Sequence, residues 1–457
     1  MRLSGIELKQ ATGGDWSKGI PETINGISTD TRKFIEGNAF LALHGPNFDG
    51  HLFAAKVASE AHALIGDHQG ARLWDHLETP QLKVEDTLTA LGDIANAWRN
   101  RLSQTTVIAI TGSFGKTTVR SMLAHLFEAL GMRTAATHAN LNNLVGVPTT
   151  LLGIGVDTEV ALIECGISEI GEMERLSRIV QPDIAVITGI SSAHSAGLGG
   201  LAGVAHEKSK LISHLLPQGW CAFGSGVSPL LQAEKIPNTS IDMDRAEGEI
   251  VTWQLQGQTL QLATANESAT LALALPARHW ATNMALAATI VLKYFADRPH
   301  LAMPQLQDIA DILSGWKAVD GRMSTVTGTN GMTILDDSYN ANPVSMQAAL
   351  DTLRALAGHR TAIIGDMGEL ENPAAAHAGL DVSGVDQLIL IGREIAILKT
   401  KQPDARWFAT TDEALAWIKG NMTRFGSDDH LLIKASRRMQ LDRIVRLFVS
   451  KEAMHAL

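Results

Sequence analysis

The chain has 457 residues, of which 45% are hydrophobic and 19% charged; that is too long for one core, and at roughly 100–200 residues per domain about three domains are expected. A formal net charge of −10, with no dense Lys/Arg block, excludes a general nucleic-acid binder. Only two cysteines, Cys165 and Cys221, exclude a disulfide framework or a cysteine-rich metal site and favour a reducing cytoplasm, while the absence of an apolar segment at Met1–Glu7 or of any spanning-length apolar run argues against export and membrane insertion.

Residues 1–82 open with a helical pattern over Ser4–Ala11, and Asn38–Gly45 reads as a strand. On either side lie turn-rich segments carrying Asp30, Arg32, Asp49 and His51. Such polar groups beside loops and strand ends often hold ligands, but Asp–Gly turns and an Asp–Arg pair account for the same residues, and alone this region names no ligand. Val84–Leu102 places Leu88, Leu91, Ile94, Ala95 and Trp98 on one face, which predicts an amphipathic helix leading into a second domain.

Next comes an apolar strand, Thr105–Ile110, then Thr111-Gly112-Ser113-Phe114-Gly115-Lys116-Thr117-Thr118, then apolar residues at helical spacing from Val119 to Leu130. Strand, glycine loop and helix start form a phosphate cradle: backbone N–H groups face the anion, Lys116 reaches the terminal phosphates and the Thr117 hydroxyl is placed for Mg²⁺. The commoner G-x-x-x-x-G-K-[ST] form would need glycine where Ile110 stands, so the loop is a shorter variant. Gly112, Ser113, Gly115, Lys116, Thr117 and Thr118 are the candidate triphosphate-binding residues.

Two further strands, Glu159–Glu164 and Asp183–Thr188, bring Glu164 and the loop holding His194 to the same carboxyl rim, where ligands of parallel sheets sit. Hard oxygens from Thr117 and Glu164 with a neutral imidazole suit a Mg²⁺ held partly by phosphates. A helix with Glu207, Lys208 and Lys210 follows; by default Lys208 is a solvated charge. Residues 220–277 read as short β pieces, His279–Ala288 as helix, and Trp316–Asp320 as a linker into a third domain with strands at Met332–Asp336, Thr361–Ile364, Gln387–Ile391 and Leu431–Lys434. Its polar loops, Gly321–Arg322, Asp336–Pro343, Gly365–Leu370 and Lys434–Arg437, suggest a cleft facing the second domain. The expected fold class is α/β, with domains at 1–82, 83–316 and 317–457.

Taken together, Ser28–Arg32, Phe48–His51, Thr111–Thr118, Asn140–Asn143, Ile163–Glu164, Ala193–His194, Asp336–Pro343, Gly365–Leu370 and Lys434–Arg437 resemble the Mur ligases of peptidoglycan synthesis. The resemblance implies a small α/β substrate domain, a central P-loop-type ATPase domain with a mostly parallel sheet, and a C-terminal Rossmann-like domain. It also implies ATP-driven amide formation through an acyl phosphate, with ATP and Mg²⁺, in a cytoplasmic monomer. Asp336–Pro343 with Gly365–Leu370 look most like the branch that adds D-Ala-D-Ala to a UDP-muramyl tripeptide.

Carried over by position, Lys116, Lys208 and His194 would be catalytic, with Lys208 carbamylated. Thr117, Glu164 and His194 would hold metal. Asn283, Arg322 and Asp337 would join the loop on ATP; Ser28, Asp30, Arg32, Asp49 and His51 would face the UDP-substrate; Asn340 and Asn342 would face the dipeptide amine. Three departures stand out: Trp280 where asparagine is usual, which is expected to alter adenine contacts; Ala193–Gly200, which lacks a usual carboxylate; and His44 where lysine is common. A relative joining another acid and amine, or a nucleotide-binding homologue without turnover, remain alternatives.

Overall fold

The computed structural model describes residues 1–45, 47–192, 195–231, 236–237, 239–245 and 250–449. Its organising strand is Thr106–Thr111, buried along its whole length. This strand lies inside a six-stranded parallel sheet, in the order Ile241–Asp242, Trp220–Phe223, Ile184–Ile187, Thr106–Thr111, Val160–Glu164, Thr134–Ala136. Strand alternation sends Ile108 and Ile110 to one face and Val107 and Ala109 to the other. The first pair belongs to a core shared with the glycine-loop helix Lys116–Ala129, the long helix Arg278–Ala296 and part of the C-terminal domain. The second pair belongs to a core that runs through helix Thr87–Arg99 into the N-terminal sheet.

The N-terminal sheet orders Asp15–Ser17, Gln81–Val84, Ala63–Asp67, Ala39–Leu41, Ile27–Ser28, parallel except for its first pair. Helix Gly5–Thr12 is fixed by a capping box in which Ser4 and Glu7 exchange hydrogen bonds. The expected strand over 38–45 is shorter: Gly50 N–H donates to the Leu43 carbonyl (2.8 Å) and turns the chain back, so His44–Gly45 pairs instead with Phe48–Asp49. The expected helix over 84–102 is trimmed at both ends. Val84 pairs with Asp67 in the sheet, and the Asp86 carboxylate accepts from Thr89 N–H as N-cap of helix Thr87–Arg99.

The predicted helix at 279–288 lies inside Arg278–Ala296, which closes over a three-stranded antiparallel sheet, Thr252–Gln256, Thr259–Ala263 and Ser268–Ala272. The C-terminal sheet orders Ser324–Thr327, Thr333–Asp336, Asp429–Lys434, His359–Gly365, Gln387–Ile391, Arg406–Phe408. It is parallel except for the antiparallel edge strand Ser324–Thr327, which, like Arg406–Phe408, is absent from the expected strands. Both are short, Ser-Thr-Val-Thr and Arg-Trp-Phe, so neither carries an apolar run long enough to mark a strand. No described helix is long and apolar enough to cross a membrane.

Buried Arg99 ties the connecting helix to the sheet. It donates to the Val180 and Gln181 carbonyls (both 3.0 Å) and to Asp183 Oδ2 (2.7 Å), which also accepts from Val107 N–H (2.7 Å) at the start of the central strand. Arg99→Ala removes three donors and leaves Asp183 without its cation. It is expected to cost about 3 kcal/mol, measured as a lowered urea midpoint; an unchanged midpoint would show the strand start to be held by its backbone alone.

Candidate functional site

The central strand ends in a loop whose backbone only glycine accommodates at two points. Gly112 has φ 152°, and a Cβ there would lie 2.2 Å from Thr188 Oγ1; Gly115, at φ 82°, begins helix Lys116–Ala129. Three consecutive carbonyls of the loop are each held by a side chain. Lys116 Nζ donates to Gly112 O (2.7 Å), Asn342 Nδ2 to Ser113 O (3.2 Å) and Thr188 Oγ1 to Phe114 O (2.5 Å). Ser113 is further fixed by its N–H to Gly189 O (2.7 Å) and by its hydroxyl against Ser191.

At the second residue of the helix, Thr117 Oγ1 donates to Glu164 Oε2 (3.0 Å), at the end of the neighbouring strand. Glu164 is 2% exposed, and its other oxygen accepts from Asn142 Nδ2 (2.9 Å), while Arg120 Nε stands 3.4 Å away. Thr117 and Arg120 share a helix face at i, i+3 spacing, a signal that could have singled out Arg120 from sequence. Asn142 belongs to the Asn140–Asn143 segment, for which no site role was expected.

Lys208 is 1% exposed, and among the described residues its ammonium has no hydrogen-bond or ion-pair partner. Burial drives its pKa well below the ordinary lysine value, and the positive charge of Lys116 adds to the effect; Glu207 opposes it. The expectation of a solvated charge is thereby replaced by that of a buried amine. Lys116 is itself lowered, chiefly by burial, with Glu164 opposing and Arg322 reinforcing the shift. The Cys165 thiol, next to Glu164, is pushed up to about 12 by burial, which makes it inert as a nucleophile at neutral pH. His194 lies outside the described residues.

The loop forms one wall of a cavity of about 490 Å³ whose other wall is the C-terminal domain. Gly115, Lys116, Thr117, Thr118, Asn283, Arg322, Asp337, Asn340 and Asn342 all line it, so the expected cleft between these domains is present. Asp337 pairs with Lys434 (2.6 Å), which also donates to the Asn340 carbonyl (2.9 Å) and is 2% exposed. The Arg322 guanidinium stacks on the Tyr339 ring, 4.0 Å from its centre, and Arg437 lies 5.5 Å from the same ring. His279, not anticipated, lines the cavity with its Nδ1 buried and unpartnered; burial lowers its pKa to about 4, so it is neutral there.

Two expectations change at this wall. Trp280 does not line the cavity: it is 4% exposed and meets Trp316 edge-on at 5.4 Å, so it packs into the core rather than replacing a ligand contact. Asn342 lines the cavity, but both ends of its carboxamide are engaged: Oδ1 accepts from Ser345 N–H (2.9 Å) to cap helix Pro343–Arg354, and Nδ2 donates to Ser113 O. Asn340 is exposed on the same rim.

The N-terminal candidates form a separate group, none of them in the cavity lining. Asp30 and Arg32 make a two-pronged pair at 2.7–3.2 Å that holds the Asp30 carboxyl down to about 2, and Asp30 also caps the short helical turn Thr31–Lys33. Asp49 accepts from His51 N–H and from its ring (2.9 and 2.7 Å), and the other ring nitrogen accepts from Asp67 N–H (3.1 Å). His51 is 2% exposed and thus shapes this loop from inside. Ser28 Oγ accepts from Asn38 (3.0 Å).

Comparison with known proteins covers most of the chain. Residues 23–99, 110–291 and 321–437 match, in turn, the descriptions "Mur ligase family, catalytic domain", "Mur ligase middle domain" and "Mur ligase, glutamate ligase domain". The UDP-N-acetylmuramoyl-tripeptide--D-alanyl-D-alanine ligase of Escherichia coli (strain K12) is 32% identical over 445 residues, 94% of either chain. That of Bacillus subtilis (strain 168) is 32% identical over 447 residues, 93% of either chain. Among solved structures, a MurF crystal structure from Acinetobacter baumannii is 31% identical with a TM-score of 0.85 over 98% of each chain. MurF ligase from Thermotoga maritima in complex with ADP shares the fold, with a TM-score of 0.78 over 93% of this chain and 96% of its own at 24% identity.

Lys208 also has a thermodynamic signature. Its pKa is lower folded than unfolded, so between the two values the unfolded chain binds more protons and stability rises with pH. Lys208→Met, which removes the buried ammonium but keeps its volume, is expected to raise the urea midpoint at pH 7 in CO₂-depleted buffer. The gain should shrink as pH approaches the unfolded lysine value of about 10.4. A gain independent of pH would show that Lys208 is not the titrating group.

Proposed function

The chain belongs to the Mur ligase family, and on that premise we propose that it joins D-Ala-D-Ala to a UDP-muramyl tripeptide with cleavage of ATP to ADP and phosphate. The carrying observation is the cavity in which the glycine loop, Lys116 and Thr117 face Arg322, Asp337 and Asn340 of the C-terminal domain. ATP lies in that cavity, its phosphates on the loop and its base toward Asn283.

A carboxylate does not acylate an amine at neutral pH, because its leaving group would be oxide. The substrate carboxylate oxygen therefore attacks the γ-phosphorus, the bond from that phosphorus to the ADP oxygen breaks, and an acyl phosphate results. The dipeptide amine then attacks the acyl carbon, loses a proton, and phosphate leaves through a tetrahedral intermediate. Both steps bring anions together, so cationic side chains around the phosphates are the main catalytic resource. Lys116, beside the loop, and Arg322, over the Tyr339 ring, supply that charge from opposite walls.

Thr117 Oγ1 and Glu164 Oε2, 3.0 Å apart, are the hard oxygens that would hold a divalent cation. A Mg²⁺ held by these residues would supply positive charge to the phosphates. His194 belongs to this metal group by its motif. Lys208 serves as a carbamate. Carbamylation requires a neutral amine to attack CO₂, and burial beside Lys116 provides one; the product is an anion where Lys116 would otherwise have a like-charged neighbour. Asp30, Arg32, Asp49 and Ser28 bound the UDP-substrate side, with His51 supporting them from beneath, and Asn340 faces the incoming amine.

The direct test is coupled ADP release over a panel of UDP-muramyl peptides and dipeptides. Phosphate release dependent on both a tripeptide precursor and D-Ala-D-Ala, with amide product, is expected; product only with another acid and amine would reassign the substrates, and ATP binding without acyl phosphate from any pair would remove turnover. Lys208→Ala is expected to lose activity and to regain part of it with added bicarbonate or chloride. Unchanged turnover in that variant would remove the carbamate.

A further inference from the structure

We propose that Asn342 is a positioning residue through which the seating of the C-terminal domain sets the shape of the phosphate loop; the inference rests on nucleotide binding at that loop. Of the three consecutive loop carbonyls, Gly112 O and Phe114 O are held from within the central domain, by Lys116 and Thr188. The middle one, Ser113 O, is held across the domain boundary by Asn342. The donor is itself fixed: Asn342 is 7% exposed, its Oδ1 caps helix Pro343–Arg354 at Ser345 N–H, and its own N–H donates to Ser345 Oγ (3.0 Å). The cap leaves the carboxamide one free function, the Nδ2 donor, and that is aimed at the loop.

The electrostatic reason is local. The Ser113–Phe114 peptide turns about ψ of Ser113 and φ of Phe114, and among the described residues Asn342 is the one hydrogen-bond donor that holds its oxygen. A carbonyl released there can turn its oxygen toward bound phosphate and repel it. A donor on that oxygen keeps the peptide in one orientation before nucleotide arrives, which is preorganisation of an anion site. A second hydrogen bond, Glu371 N–H to Ser195 Oγ (3.1 Å), crosses the same boundary outside the cavity lining. Because Asn342 is already engaged at both ends, its contribution is to nucleotide affinity rather than to recognition of the amine.

Asn342→Ser separates the two tasks, since serine is as good an N-cap as asparagine but is too short to reach Ser113. The expected result is a thermal midpoint lowered by no more than the loss of one hydrogen bond accounts for, an ATP·Mg²⁺ dissociation constant raised about 10-fold by calorimetry, equivalent to about 1.4 kcal/mol, and a KM for D-Ala-D-Ala that does not move. Amide exchange in the loop of the nucleotide-free protein should accelerate. An unchanged ATP affinity overturns the proposal, as does a rise confined to the dipeptide KM, which would make Asn342 an amine contact. If Asn342→Ser does not fold, Asn342→Thr, which also keeps a cap oxygen, lacks the amide donor and adds no charge, is read in the same way. Failure of the unaltered protein to bind ATP would instead remove the functional reading on which the inference depends.

Discussion

A single strand, buried on both faces, is the constraint from which the molecule follows. Because side chains of Thr106–Thr111 alternate, Val107 and Ala109 commit one face to the N-terminal side while Ile108 and Ile110 commit the other to the helices and the C-terminal side. A one-residue slip would exchange these sets and mismatch both cores at once. Such a strand is held in register more firmly than an edge strand, and its carboxyl end is therefore a fixed point in space. The glycine loop is attached at that point, with Glu164 and Thr188 carried alongside by the two neighbouring strands.

The site built on this point is electrostatically tense. Lys208 and Lys434 are buried amines and Lys116 a half-buried one, all with lowered pKa, and among the described residues Arg120 Nε has no hydrogen-bond partner beside Glu164. Like charges concentrated without matching carboxylates cost folding energy, a pattern common where a polyanion is to be received. Lys434 shows the contrast: it is paired with Asp337 and the Asn340 carbonyl and so acts as a strut under that rim. Lys208, with no such partner among the described residues, is left chemically available.

Much of this is legible in the sequence. The glycine loop, the strand ending in Glu164 and the four C-terminal loops sit at strand ends, where local pattern and general topology agree. What local pattern does not encode is the use to which a polar side chain is put by a distant segment. His51 and Asp49 are equally polar in sequence, yet one is sealed between Asp49 and Asp67 while the other remains at the loop edge. Trp280 stands where a ligand contact was expected, but its volume is taken up by Trp316, 36 positions later in the numbering. Asn342 follows the same rule, since its partner Ser113 is 229 residues away.

The core that joins helix Arg278–Ala296 to the C-terminal sheet runs without a break, from Met284 and Leu286 to Met346, Leu350 and Leu353. The C-terminal domain is therefore not a detachable cassette. Grafting it onto a homologue's first two domains would bring together two apolar faces evolved against different partners, and a chimera joined at the Trp316–Asp320 linker would need its seam recast along with its loops. Sequence drift on one side of that seam is expected to be answered on the other, so the two domains evolve as one unit even though each has its own sheet.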